Sequence, residues 1–234
     1  MKLRTVQSVL ALLVLSWALA QPQPPELSQL PVVQADTVLF RNGDRLIGQV
    51  VDATIGIESL LGTLAVPRQL VRFAVQQTRF AVDQRSEVTI LFFQNGDRIT
   101  GMPAGPGISF QITGSATPLA VSWPLINVLA FPVVDTPPGP DQIILVNNDW
   151  LSGVIETEVL NVQTGFGAAQ IAVRQLRSAL RASGGRNFTF TLRNGDRITA
   201  DLPEQVLRLR VAEGATLELT VRGDNLLAMF PGEA

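Results

Sequence analysis

Apolar and polar positions alternate along most of the chain, and turn residues interrupt the alternation at short intervals. Val38 and Phe40, for example, precede an Asn-Gly pair, and Leu46 and Val50 follow it. An Asn-Gly pair between two alternating runs predicts a β-hairpin, because Gly accepts a positive φ and Asn can hydrogen-bond its own backbone. The pattern as a whole predicts an all-β protein of short strands.

The same turn recurs four times. Its first Asn stands at positions 42, 95, 147 and 194, so the spacings are 53, 52 and 47 residues. A recurring period near 50 residues indicates internal duplication. The third copy is degenerate, with Asn in place of Gly. The predicted structural turns are Asn42-Gly43-Asp44, Asn95-Gly96-Asp97, Asn147-Asn148-Asp149 and Asn194-Gly195-Asp196.

A small residue follows each turn Asp by four positions. It is Gly48, Gly101 and Gly153 in the first three copies and Ala200 in the fourth. A glycine inside a strand marks a bulge, a sharp bend or a close approach of two backbones. We therefore interpret these positions as strand bends that are required by shape.

The second half of each copy predicts further strands and a short turn. Pro67-Arg68-Gln69 and Pro124-Leu125 suit a single turn of 3₁₀ helix before a closing strand. Residues 168–182 also fit a helical period, but we expect a strand followed by a helical turn there. Five short strands in about 45 residues fit a small SH3-like barrel, which is at the lower limit of independent stability.

The repeats define the predicted domain organisation. Four tandem barrel repeats are expected, arranged as two lobes of two repeats each. A Pro/Gly-rich linker at 134–140 separates the lobes. The predicted bounds are 33–85 for repeat 1, 86–133 for repeat 2, 141–185 for repeat 3 and 186–234 for repeat 4.

The turn pattern, apolar-x-apolar-x-Asn-Gly-x-x-x-x-Gly, resembles the first motif of Sm-like small barrels. In the fourth copy, Arg222-Gly223-Asp224-Asn225 resembles the turn into their last strand. The resemblance implies the fold. It also implies RNA contact at Arg222, Gly223 and Asn225 only, because the family's Asp-x-x-x-Asn loop is not recognisable in any copy. The repeats also resemble those of exported bacterial proteins with uncharacterised activity.

The N-terminus has the pattern of a secretory signal peptide at 1–20. Lys2 and Arg4 precede the apolar run 9–20, and the run ends in a small-x-small cleavage site. The run is shorter than the roughly 20 residues of a membrane span, and an uncleaved anchor is the alternative. A Pro-rich linker is predicted at 21–32. The expected location is secreted, periplasmic or at the cell surface, with no membrane span after cleavage.

Composition removes several classes of chemistry. The chain has no Cys, no His and no Tyr, and its only Lys is Lys2. Disulfides, thiolate or imidazole metal sites and Schiff-base lysines are therefore excluded from the processed form. Loss of the signal segment would remove two of the 18 basic residues and leave all 20 acidic ones. That negative balance argues against a nucleic-acid partner.

The carboxylates offer two further possibilities. Calcium needs six to eight oxygen ligands, whereas each Asn-Gly-Asp turn offers one carboxylate. We therefore predict neither a metal site nor a cofactor. Glu156 and Glu158 stand two residues apart and would share one face of a strand, which permits a carboxylate-pair hydrolase. Such spacing is also expected by chance.

Two residues are candidates for ligand contact. Trp150 follows the third turn, where the other copies carry Arg, and packing in a core or interface is its alternative role. Trp123 precedes the predicted 3₁₀ turn and is expected in the core. Arg222 begins an Arg-Gly-Asp tripeptide, which also occurs in adhesion motifs, although the turn explains it fully.

The sequence therefore predicts an exported, non-catalytic structural or protein-interaction module of the cell envelope. It would bind a protein partner or associate with itself through strand edges and apolar patches. An envelope-glycan-binding module that uses Trp150 is the alternative. A hydrolase that uses a carboxylate pair is the third hypothesis.

Overall fold

A computed structural model of the chain describes residues 32–81, 84–182 and 185–232. Over these residues the protein is all-β, as the sequence predicts, with twenty antiparallel strands and three 3₁₀ turns. The predicted signal peptide at 1–20 and the linker up to residue 31 lie outside the described residues. Within the described ranges, no helix is long and apolar enough to cross a membrane.

The strands of the first two repeats lie between residues 36 and 130. Repeat 1 contains β1 (Asp36–Phe40), β2 (Arg45–Val50), β3 (Thr54–Ser59), β4 (Gly62–Pro67) and β5 (Val71–Ala81). Repeat 2 contains β6 (Gln84–Phe93), β7 (Arg98–Pro103), β8 (Gly107–Ile112), β9 (Leu119–Ser122) and β10 (Ile126–Ala130). The 3₁₀ turns Arg68–Leu70 and Trp123–Leu125 precede β5 and β10, where the prolines predict them.

The last two repeats follow the same order after the strand-free segment 131–139. Repeat 3 contains β11 (Asp141–Leu145), β12 (Trp150–Ile155), β13 (Val159–Thr164), β14 (Gly167–Ala172) and β15 (Leu176–Arg181). Repeat 4 contains β16 (Asn187–Leu192), β17 (Arg197–Asp201), β18 (Gln205–Ala212), β19 (Ala215–Val221) and β20 (Leu226–Phe230). A 3₁₀ turn at Val173–Gln175 joins β14 to β15, so segment 168–182 is strand, turn and strand.

Strand pairing does not follow the repeat boundaries. β2 pairs with β8 rather than with its own β3, and β3 pairs with β7. Two five-strand groups result. Group A contains β1, β2, β8, β9 and β10, and group B contains β3 to β7, a continuous segment inserted into group A.

Repeats 3 and 4 exchange strands in the same way. Group C contains β11, β12, β18, β19 and β20, and group D contains β13 to β17. Pairing of β5 with β10 joins groups A and B, and pairing of β15 with β20 joins C and D. A segment of about 50 residues buries little apolar surface alone, and the exchange lets two such segments complete each other's sheets.

The alternating positions fill the core as expected. In β19, Ala215, Leu217, Leu219 and Val221 are buried while Glu218 between them is exposed. Trp123, predicted to be a core residue, is only 5% exposed. Burial of these side chains is the main favourable contribution to folding, at about 25 cal/mol per Å² of apolar surface.

The strand-bend glycines lie where two backbones approach closely. A Cβ at Gly48 or Gly101 would overlap a carbonyl oxygen of the neighbouring strand, that of Gln111 or Glu58. Gly153 lies in the same way against the carbonyl oxygen of Arg210. These contacts fall on the exchanged pairings, so the glycines permit the strand exchange.

We expect Gly101→Ala to lower the free energy of unfolding by about 1–3 kcal/mol, because the added methyl group must displace the β3 backbone. Urea unfolding followed by tryptophan fluorescence measures the loss. Ala200→Gly is the matched control, and it should cost only about 0.5–1 kcal/mol because the fourth copy already accommodates a methyl group. Unchanged stability of Gly101→Ala would contradict the close approach.

Candidate interaction site

All four Asn-Gly-Asp turns share one hydrogen-bond geometry. The Asn Oδ1 accepts a hydrogen bond from the backbone N–H of the turn Asp at 3.0–3.1 Å, and the Asn Nδ2 donates to the Asp Oδ2 at 2.7–2.8 Å. The residue between them has positive φ, 91° at Gly43, 90° at Gly96, 65° at Asn148 and 94° at Gly195. The Asn-Gly-Asp tripeptide, with Asn in place of Gly in the third copy, therefore forms the same turn four times, and in each turn the Asp Oδ2 accepts a hydrogen bond from the Asn side chain.

The second and third turns contact each other where group B meets group C, and their Asp side chains are buried there. Asp97 is 2% exposed and Asp149 is 1% exposed. The Oδ2 of Asp97 accepts from the backbone N of Ser152 at 2.5 Å and from its Oγ at 2.9 Å. Asp149 accepts from the backbone N of Thr100 at 2.6 Å and from its Oγ1 at 2.8 Å. Ser152 and Thr100 both stand three residues after a turn Asp. The contact is therefore reciprocal: each turn supplies an Asp acceptor, and the strand that follows it supplies the donors for the other turn's Asp.

Burial raises the pKa of both carboxyl groups above the ordinary Asp value of 3.8, because desolvation penalises the charged form. Hydrogen bonds from Ser152 and Asn95 to Asp97 act in the opposite direction. Hydrogen bonds from Thr100 and Asn147, with the charge of Arg98, do the same for Asp149. Within the described ranges, no group of three or more acidic side chains could hold a metal ion.

Trp150 lies at the edge of this contact. It pairs with Arg98 across β12 and β7, and the Arg98 guanidinium lies 4.3 Å from the centre of the indole ring. The Nη2 of Arg98 donates to the backbone oxygen of Asn148 at 2.8 Å. The Trp150 residue is 40% exposed. Its position therefore combines packing between groups B and C with partial exposure, and the glycan contact stays a prediction.

A hairpin tip forms a second contact between groups B and C. The tip Leu60-Leu61 joins β3 to β4, and its two carbonyl oxygens accept from group C. The backbone N of Thr220 donates to Leu61 at 2.9 Å, and the Nδ2 of Asn225 donates to Leu60 at 2.6 Å. Leu61 is 1% exposed. We call the two contacts together the B–C junction.

The first and fourth turns, in groups A and D, have no such partner among the described residues. Asn42 and Asp44 are exposed, and so are Asn194 and Asp196. The residues three positions after these Asp side chains, Ile47 and Thr199, are also exposed. The same local turn is therefore buried in the middle of the molecule and open at groups A and D.

Group D also has an open hairpin tip. Phe166 lies between β13 and β14 as Leu61 lies between β3 and β4. The Oγ1 of Thr164 accepts from the Phe166 backbone N at 3.1 Å, and the Oγ of Ser59 accepts from that of Leu61 at the same distance. Phe166 is 105% exposed, as much as in an extended chain. The Phe166 ring is therefore available for contact with another surface.

An apolar cleft of about 430 Å³ lies at the first turn of group A. Phe40, Pro124 and Leu125 supply its apolar wall, and Arg41, Asn42 and Asp44 supply its polar side. Leu125 is 58% exposed. The cleft therefore places uncovered apolar surface directly beside an open turn.

The predicted carboxylate pair lies elsewhere. Glu156 and Glu158 line a cleft of about 460 Å³ between groups C and D, together with Arg174 and Arg193. Glu156 is engaged, because Arg210 Nε lies 2.9 Å from its Oε1 and Thr216 donates to its Oε2. The structure brings the pair into one cleft, and hydrolysis there stays a prediction.

Arg222 lies on the surface of the turn between β19 and β20. Its side chain, 50% exposed, forms ion pairs with Asp224 at 3.0 Å and with Glu204 at 3.7 Å. Asn225 of the same turn accepts from the backbone N of Arg222 and reaches the Leu60 tip. The motif that resembles the Sm turn therefore contributes Asn225 to the B–C junction.

Sequence reasoning missed the residues that complete the junction, Thr100, Ser152 and the Leu60-Leu61 tip. Two adjacent Leu residues between Ser59 and Gly62, and Phe166 between two glycines, were available signals. Apolar residues at hairpin tips are uncommon, because such tips face water unless another surface covers them.

Comparison of the chain with protein-family models, with curated proteins and with solved structures finds no match.

We expect Asp97→Ala to lower the free energy of unfolding by about 3 kcal/mol or more, because Ser152 and Asn95 lose a buried acceptor. Asp44→Ala is the matched control at an exposed turn, and it should cost about 1 kcal/mol or less. Urea unfolding compares the two variants. Equal losses would show that the reciprocal contact adds nothing to the turn itself.

The raised pKa values of Asp97 and Asp149 predict a pH dependence. The folded state holds these protons more tightly than the unfolded state, so their contribution to stability is present below pH 3.8 and is lost as pH rises. The double variant Asp97→Asn with Asp149→Asn has no such loss. Its stability relative to the wild type should therefore increase between about pH 3 and about pH 7 in urea titrations. A pH-independent difference would contradict this assignment.

Proposed function

We propose that this chain is a non-catalytic structural module that associates with further copies of itself. One observation carries the proposal. The turn face that groups B and C bury against each other is also present on groups A and D, where it is exposed. A surface that forms a stable contact inside the chain is suited to form a similar contact between chains.

We infer that each five-strand group is a small barrel of the SH3-like or Sm-like type. Two observations support this inference. The strands of each group pair with antiparallel neighbours, and a tight turn precedes the last strand of the sequence repeat. Such barrels present rigid turns at their ends, which suits contact between barrels.

The proposed location is the cell envelope. The signal pattern at residues 1–20 supports export, and the absence of Cys, His and nearly all Lys supports a role without nucleophilic chemistry. The contacts between copies would be small. Association is therefore expected to be weak for a single contact and to gain strength when many copies assemble.

The test is the molar mass of the protein in solution, measured by light scattering after expression of the full chain for export and purification of the resulting form. We expect the mass to rise above that of one chain between about 1 μM and about 1 mM, the range of weak contacts. N-terminal sequencing identifies the purified form. A single-chain mass at every concentration would contradict self-association.

A further inference from the structure

We propose that copies of this chain join head to tail, with the Phe166 tip of group D in one copy inserted into the cleft beside the Asn42 turn of group A in the next. The inference rests on the proposed self-association and names the two surfaces that meet. The occupant of the cleft is therefore a second copy of this chain.

The B–C junction is the template for this contact. There, group B contributes an apolar tip and an Asn-Gly-Asp turn, and group C contributes a second turn and the segment between its last two strands. Group D has the strand order of group B, and group A has that of group C. Group D therefore corresponds to the group that inserts its tip, and group A corresponds to the group that receives it.

The tip of group D matches the tip of group B in backbone and differs in exposure. Ser59 and Thr164 make the same side-chain hydrogen bonds across the tips, and Gly62 and Gly167 follow with positive φ. Leu61 is 1% exposed and its carbonyl oxygen accepts from Thr220 of group C, whereas Phe166 is 105% exposed. Covering a Phe side chain contributes about 1.5–3 kcal/mol to association, so an uncovered one is a strong candidate anchor.

The receiving surface of group A is apolar where the tip would enter. In group C, the tip docks at the turn Arg222–Asn225, which precedes the last strand. In group A, the 3₁₀ turn Trp123–Leu125 takes that place, and it borders the 430 Å³ cleft with Phe40. Leu119, in the neighbouring β9, is 46% exposed. The cleft thus offers Phe166 an apolar environment beside an open turn.

One basic side chain of group D would meet an acidic one of group A, as in the template. In the B–C junction, Arg98 reaches the carbonyl oxygen of Asn148 and lies 3.9 Å from Asp149. The equivalent reach would pair Arg197 of group D with Asp44. Arg45 of group A takes the place of Trp150, which faces Arg98 in the template, so Arg45 and Arg197 would lie opposite each other. Thr199 replaces Thr100 and would donate to Asp44. Ile47 replaces Ser152 and lacks a hydroxyl, so the hydrogen bonds that the Ser152 Oγ donates to Asp97 and accepts from Asn95 have no counterpart in this contact.

The two faces are not interchangeable. The loop of group A that corresponds to the tip is the polar segment 113–118. In group D, Arg174 and Gln175 take the places of Pro124 and Leu125. The tip of group D therefore fits the cleft of group A, whereas two copies of group D or two copies of group A do not fit each other. Such a heterologous contact builds a filament, or a ring if the rotation closes.

Two exposed-residue variants test the contact by light scattering. Phe166→Ser removes the anchor and Leu125→Glu places a charge in the cleft, so each should raise the dissociation constant by at least about tenfold. Val134→Ser, at a 55% exposed linker residue, is the control and should associate as the wild type does. A one-to-one mixture of the first two variants should form a heterodimer that does not grow, because each retains one intact end.

Cysteine pairs provide a second measurement, since the chain has no Cys of its own. Under mild oxidation, a mixture of Phe166→Cys and Leu125→Cys should give a disulfide-linked heterodimer. Phe166→Cys mixed with Val134→Cys should not. Cross-linking of Phe166→Cys to itself in place of Leu125→Cys would show a tip-to-tip contact and overturn the inference.

The outcomes separate the inference from the proposed function. If the wild type associates and neither Phe166→Ser nor Leu125→Glu weakens it, head-to-tail contact is wrong and self-association stands. If only Phe166→Ser weakens it, the cleft is not the receiving surface and the inference is wrong. If the wild type is a single chain at every concentration, both are wrong.

Discussion

Two buried carboxylates connect group B to group C. Asp97 and Asp149 each accept hydrogen bonds from the backbone and hydroxyl of a residue on the opposite turn, Ser152 and Thr100. Burial of a charged group is costly, and only several hydrogen bonds to each carboxylate offset the cost. The contact is also specific in geometry, because a shift of either turn would leave buried donors without acceptors. The relative placement of groups B and C therefore depends on it.

Strand exchange provides the second constraint. Because β2 pairs with β8 and β3 pairs with β7, neither of the first two repeats can complete its sheet without the other. Repeats 3 and 4 are linked in the same way. Close backbone contacts accompany the exchange at Gly48, Gly101 and Gly153, where a larger residue would overlap a carbonyl oxygen. Strands β1 to β10 therefore depend on one another, and so do strands β11 to β20, which suits the limited stability of a 50-residue unit.

The four copies of one turn show how environment assigns different roles to the same residues. All four have the same internal hydrogen bonds, yet two are buried in a junction and two are open to solvent. The residues that surround each turn make the difference, above all the hairpin tips. Leu61 is covered and Phe166 is not, although their backbones match. The proposed assembly extends to a second copy the contact that the chain already makes within itself.

The sequence by itself determined the strands, the four turns and the strand bends, because these depend on local alternation and on the backbone freedom of Asn and Gly. It also identified the 3₁₀ turns at the prolines. Strand exchange was not predictable, because the alternation of apolar residues in β2 is compatible with pairing to either β3 or β8. The candidate site was predicted only in part. The turn Asp residues were identified, but their partners Thr100 and Ser152 lie about 50 positions away in the chain. Only the tertiary structure decided which turns are buried, because burial depends on contacts between groups that no local pattern encodes.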